Sequence, residues 1–146
     1  MGIGLWIRKL RRFWVLRLAD KWLFLRAVFW LAVARIWLAK VPVSKLAERL
    51  SADVGTEEAD PELLRRVGYA VGAAGANVPW RADCFPQSIA ARKLLQKYGY
   101  RSTIHLGVEK TEKYELLAHA WLTCGDTIVT GAAEADRYAE IHRLGE

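Results

Sequence analysis

The chain has 146 residues, 53% apolar and 26% charged, enough for one domain whose core needs no disulfide staples. That composition excludes a disordered chain, and two cysteines exclude a disulfide scaffold. The net charge of +6 hides a division: residues 1–50 hold eleven Lys/Arg against Asp20 and Glu48, a balance of +9, while the remainder carries −3.

Leu5–Ala39 reads as helix, broken near Asp20, and Val41-Pro42 should end it because the residue before proline avoids the helical region. Five of the seven tryptophans fall here, at Trp6, Trp14, Trp22, Trp30 and Trp37. Steps of seven and eight carry them around a helix rather than along one stripe. The longest uncharged run, Ala27–Ala34, has eight residues, against about 20 for a spanning helix, so no span is expected. Two readings remain for residues 1–50. One is a buried helix or helix pair whose arginines snorkel along its edges. The other is a basic, Trp-rich arm that docks on a membrane face or a partner protein. The second is preferred, because +9 and five tryptophans exceed what a small core helix needs. No nucleic-acid motif is present, and nucleic acid is not an expected partner.

Ser44 is placed to cap a short helix, Lys45–Leu50. Residues 51–60, with a glycine and four acids, read as a solvated linker and domain boundary, leaving 60–146 as a second unit. Asp60-Pro61 opens a helix running to about Ala74, with Asp60 as N-cap and Pro61 in the first turn. A loop from Asn77 delivers the chain to Cys84. From there Ile89, Leu94, Leu95 and Tyr98 recur at helical spacing, and Gly99 follows as a C-terminal cap. Strand patterns cover 103–108, 115–123 and 127–130, with Gly125-Asp126 at a turn. The tail from Ala132 to Arg143 reads as helix. The class is α+β, several helices followed by an antiparallel three-stranded meander.

Cys84 and His119 carry the chemistry. A thiol at a helix start feels the partial positive charge of unpaired N–H groups, which favours thiolate, and the same amides stabilise an oxyanion. An imidazole within reach holds the thiolate and protonates a leaving amine. Alone, Cys84 would read as an inert buried thiol and His119 as a core histidine; the polar loop before Cys84 argues for the reactive reading. A zinc site from Cys84, His105, His119 and Cys124 is disfavoured. His119 and Cys124 lie five apart on one strand and so point to opposite faces, and no Cys-x-x-Cys spacing occurs. A Cys84–Cys124 disulfide is disfavoured by the cytoplasmic setting expected from the low cysteine count and the lack of a signal-peptide pattern. No cofactor or metal is expected.

The stretch from Cys84-Phe-Pro-Gln-Ser-Ile-Ala-Ala-Arg-Lys to Thr103-Ile-His-Leu-Gly-Val, followed by Ala118-His-Ala-Trp-Leu, resembles the lasso-peptide biosynthesis B2 family over about residues 60–131. Those proteins are stand-alone, transglutaminase-like cysteine peptidases that remove the leader from a lasso precursor, and their N-terminal helices are similarly rich in Arg, Trp and Leu. The resemblance implies a small transglutaminase/papain-like core with the nucleophile helix packed on the sheet, Cys84 as nucleophile and His119 as base. It also implies a precursor peptide as substrate, a separate B1-type leader-recognition protein, and the lasso cyclase as a further partner. The family pattern often places an aspartate twelve residues after the histidine, where this chain has Gly131. Asp126, seven residues from His119 at a hairpin tip, is too far along the strand to replace it. Thr130, Glu134 or a backbone carbonyl remain as groups to orient the imidazole. Two other readings are a non-catalytic membrane- or partner-binding scaffold and a thiol-dependent acyl transferase.

Overall fold

A computed structural model describes residues 14, 15, 17–51, 55–110 and 115–145. The N-terminal stretch expected to be helical before residue 14 lies outside the described residues. Trp14 and Val15 are helical, the chain is extended at Arg17 (φ −58°, ψ 148°), and helix α1 then runs over Leu18–Lys40. The break thus falls just before Asp20. α1 ends at Val41, in extended conformation before Pro42, as the proline rule requires.

Helix α2 covers Val43–Ser51. Its backbone is already helical at Ser44, with Leu46 N–H bonded to the Pro42 carbonyl. Ser44 is therefore inside the first turn and does not cap it. Helix α3, Pro61–Gly75, starts as expected: Asp60 Oδ1 accepts from the Glu62 N–H at 3.0 Å, and Pro61 fills the first position. Helix α4 spans Cys84–Lys97, and Gly99 follows it with φ +78°.

Strands β1 (Thr103–Lys110), β2 (Leu116–Cys124) and β3 (Thr127–Thr130) form the expected antiparallel meander. The tail departs from expectation. Ala132–Arg137 form a 3-10 turn, and Ala139–Leu144 form a fourth strand, β4, giving the sheet order β3-β2-β1-β4. β4 pairs antiparallel with β1 along the edge that a three-stranded sheet would have left open. An open edge presents a row of unpaired backbone groups, and satisfying them outweighs the weak helical pattern of the tail.

Strand alternation sorts the sheet into two faces. Ile104, Leu122 and Cys124 share one buried cluster with Ile89, Leu94 and Leu95 of α4 and Val67 and Val71 of α3. α1 contributes Leu23, Ala27, Leu31 and Ala34 to that same cluster. By length and composition α1 could cross a membrane, although Arg26 and Arg35 lie within it. Here one face of it is core, as is common for apolar helices in soluble proteins. The Asp20 carboxylate fastens its start to α3 through Arg66, 2.7 Å away.

Arg92 of α4 is fully buried. Its guanidinium donates to the carbonyls of Ser102, just ahead of β1, and of Leu50, in the last turn of α2. Charge-assisted bonds to two carbonyls offset part of the cost of burying the cation.

Candidate active site

Cys84 is the first residue of α4, half-buried and free. Asp83 stands in the N-cap position, yet its side chain makes no capping bond. Its carboxylate turns instead to Arg81, at 3.0 Å and in solvent. Among the described residues no side chain caps the first-turn N–H groups, which leaves them to act on a negative charge developing beside Cys84.

One turn further on, Ser88 is fully buried. Its hydroxyl donates to the Cys84 carbonyl at 2.9 Å. A hydroxyl has a single proton, so the 3.3 Å contact between Ser88 Oγ and Thr130 Oγ1 has Thr130 as donor. Thr130 ends β3, and α4 is thereby bonded to the end of the edge strand.

His119 lies on β2 opposite Gly107 of β1, on the sheet face it shares with His105 and Trp121. Its ring stacks on Tyr138 at 4.9 Å and on Trp121 at 6.1 Å. Glycine at 107 makes room for this packing: a Cβ there would come within 2.8 Å of both the Trp121 ring and Tyr138. His119 Nε2 is 3.0 Å from the Gly131 carbonyl oxygen. A carbonyl only accepts, so Nε2 carries the proton and donates it, and Nδ1 is left as the basic nitrogen.

Gly131 thus occupies the position of the expected aspartate and supplies an acceptor from its backbone. Its φ is +78°, and a Cβ would lie 2.7 Å from the Ala120 carbonyl oxygen and 2.9 Å from Trp121 Cβ. No ordinary side chain fits that corner. Of the other candidates, Thr130 turns its hydroxyl to Ser88, and Asp126 sits exposed at the hairpin tip. Glu134 is exposed on the 3-10 turn.

Cys84 and His119 therefore reach the Thr130-Gly131 corner from different sides, Cys84 through Ser88 on the helix face and His119 through its imidazole on the face turned away from α4. Among the described residues, no hydrogen bond joins Cys84 Sγ to His119 directly. Catalytic contacts of this kind often close only when substrate is bound.

The residues weighed for zinc are dispersed. Cys124 is buried on the helix side and donates to the Arg101 carbonyl at 3.2 Å. His105 is buried across the sheet, with Nε2 2.8 Å from Thr123 Oγ1 and Nδ1 3.3 Å from Glu140. The Arg143 guanidinium bonded to Glu140 holds that carboxyl below the usual carboxylate range, with His105 adding to the effect and partial burial opposing it.

Ser88, Gly107 and Tyr138 were not legible as parts of a site. A glycine inside an apolar strand does signal a close approach, so Gly107 could have been flagged; nothing local marks Ser88 or Tyr138.

A helix opening on cysteine, packed on an antiparallel sheet that carries a histidine, is the arrangement of transglutaminase-like proteins, and the profile of the transglutaminase-like superfamily matches residues 27–143. The chain belongs to the transglutaminase-like superfamily. The match begins inside α1 and takes in all of the sheet but Leu144, so the superfamily's α+β core accounts for nearly all of the described fold. Comparison with curated proteins and with solved structures returned no match. A transglutaminase-like domain of this kind is consistent with a cysteine peptidase or an acyl transferase.

Proposed function

We propose that this transglutaminase-like protein is a cysteine peptidase that removes the leader from a lasso-peptide precursor, working with a separate leader-recognition protein and handing its product to a cyclase. The observation that carries the reading is the His119–Gly131 bond. It supports an imidazole that donates through Nε2, which leaves Nδ1 to act as base toward the Cys84 thiol at the start of α4.

In this mechanism His119 Nδ1 takes the thiol proton of Cys84. The thiolate adds to the scissile carbonyl, and the oxyanion meets the uncapped N–H groups of α4. The C–N bond then breaks as the imidazolium protonates the departing amine. Water, deprotonated by His119, attacks the thioester; the leader leaves as a carboxylic acid and the thiol regains its proton. Residues 60–146 carry this chemistry and residues 1–50 carry docking, with α1 serving both. Two free cysteines support a reducing, cytoplasmic setting.

The test mixes precursor with recognition protein and either the native chain or Cys84→Ala. The variant should release no leader; unchanged cleavage would sink the assignment. Acyl transfer to an amine is the second reading, supported by the superfamily match, and product masses showing amine rather than water addition would select it.

A further inference from the structure

α1 has two apolar faces. Leu23, Ala27, Leu31 and Ala34 form the inner one and are buried. Leu18, Trp22, Leu25, Phe29 and Ile36 form the outer one, spaced by four, three, four and seven residues, and their exposures are 75%, 65%, 50%, 59% and 53%. At 1.5 Å per residue this stripe is roughly 27 Å long. A contiguous apolar ridge of that length on a folded domain marks an interaction surface.

Charge narrows the occupant. At about 100° per residue, Arg26 falls on one side of the stripe and Lys21 and Arg35 on the other, with Arg17 just ahead of the helix. Asp20 is the only acid on the helix, and Arg66 engages it. Arg17–Lys40 therefore carries five basic residues against one acid, a net +4. A second copy laid on this face would bring +4 against +4. A spanning orientation would strip the inner face from α3 and α4, where it forms part of the core. A convex ridge, moreover, needs no matching groove if its partner is fluid. Trp14, also exposed, adds a second indole near the start of the helix, the side chain best suited to a headgroup boundary.

We infer that α1 lies in the plane of an anionic membrane surface, its Trp22–Phe29 ridge in the headgroup boundary and its arginines and lysines against lipid phosphates, so that the active-site domain works while held at the bilayer. The inner face stays in the protein core throughout.

The full chain is floated with vesicles of phosphatidylglycerol and phosphatidylcholine (1:1) and with pure phosphatidylcholine. Binding to the anionic vesicles should be about tenfold tighter or more, and should weaken as salt is raised. Trp22→Ala/Phe29→Ala and, separately, Arg26→Gln/Arg35→Gln should each lower that binding about tenfold or more. All four side chains are exposed, so the melting curves should match the native chain. Absence of binding, equal binding to both vesicles, or binding unmoved by both variants would overturn the inference. It would equally be overturned if the chain ignored vesicles but formed a dimer, or bound an acidic amphipathic peptide, through Trp22 and Phe29.

Discussion

Replacing Gly131 with aspartate tests the corner most directly, because it restores the side chain that the family pattern expects. Two costs follow from the geometry. The residue sits at φ +78°, which costs an L-residue about 1–2 kcal/mol. Its Cβ would also meet the Ala120 carbonyl oxygen at 2.7 Å and Trp121 Cβ at 2.9 Å. Neither neighbour can swing away, since one is backbone and the other is the root of a buried ring, so forcing them apart costs about 1–3 kcal/mol more. The sum is about 2–5 kcal/mol, or roughly 4–20 °C in Tm for a domain of this size. Urea denaturation should show the midpoint falling with little change in slope. Leader release should fall as well, because relaxing the clash displaces the carbonyl that holds His119. A Gly131→Asp chain as stable as the native one, and at least as active, would refute the claim that the carbonyl replaces the carboxylate.

His119→Ala should reduce leader release by about 10²–10⁴-fold while leaving the far-ultraviolet spectrum intact, as single-turnover assays would show. Thr130→Val removes the donor to Ser88 and should cost about 0.5–1.5 kcal/mol in urea, with a loss of rate as α4 slackens against β3. Glu140, whose carboxyl is held below its ordinary range by Arg143, should stabilise the fold above about pH 4.3 and lose that effect as pH falls through its lowered folded value. Glu140→Gln should therefore be less stable at pH 7, by under about 1 kcal/mol for a pair this exposed, and the gap should close in acid.

Much of this architecture was readable because local chemistry and fold agree. Asp60-Pro61 starts α3, Cys84 starts α4, Gly99 follows α4, and period-two runs give β1 to β3. β4 was missed because its pairing is non-local: Ala139–Leu144 becomes a strand only when β1 offers an edge, and nothing in the tail itself announces that. Cys84 and His119 stand out in the sequence by residue type and position. A backbone carbonyl stands among the groups the sequence leaves to orient the imidazole, but that it is the carbonyl of Gly131 is not readable there, since a backbone oxygen leaves no mark in a sequence.

Arg92 gives the chain an order of assembly. Two of its partners are the carbonyls of Leu50 and Ser102, 42 residues upstream and 10 downstream, so three distant stretches meet where this cation leaves water. Residues 60–146 expressed alone would keep the guanidinium and lose the Leu50 acceptor. The N-terminal helices are therefore a built-in partner of the half that holds Cys84 and His119, and cutting the chain at the residue 51–60 linker should yield two fragments that need each other to fold.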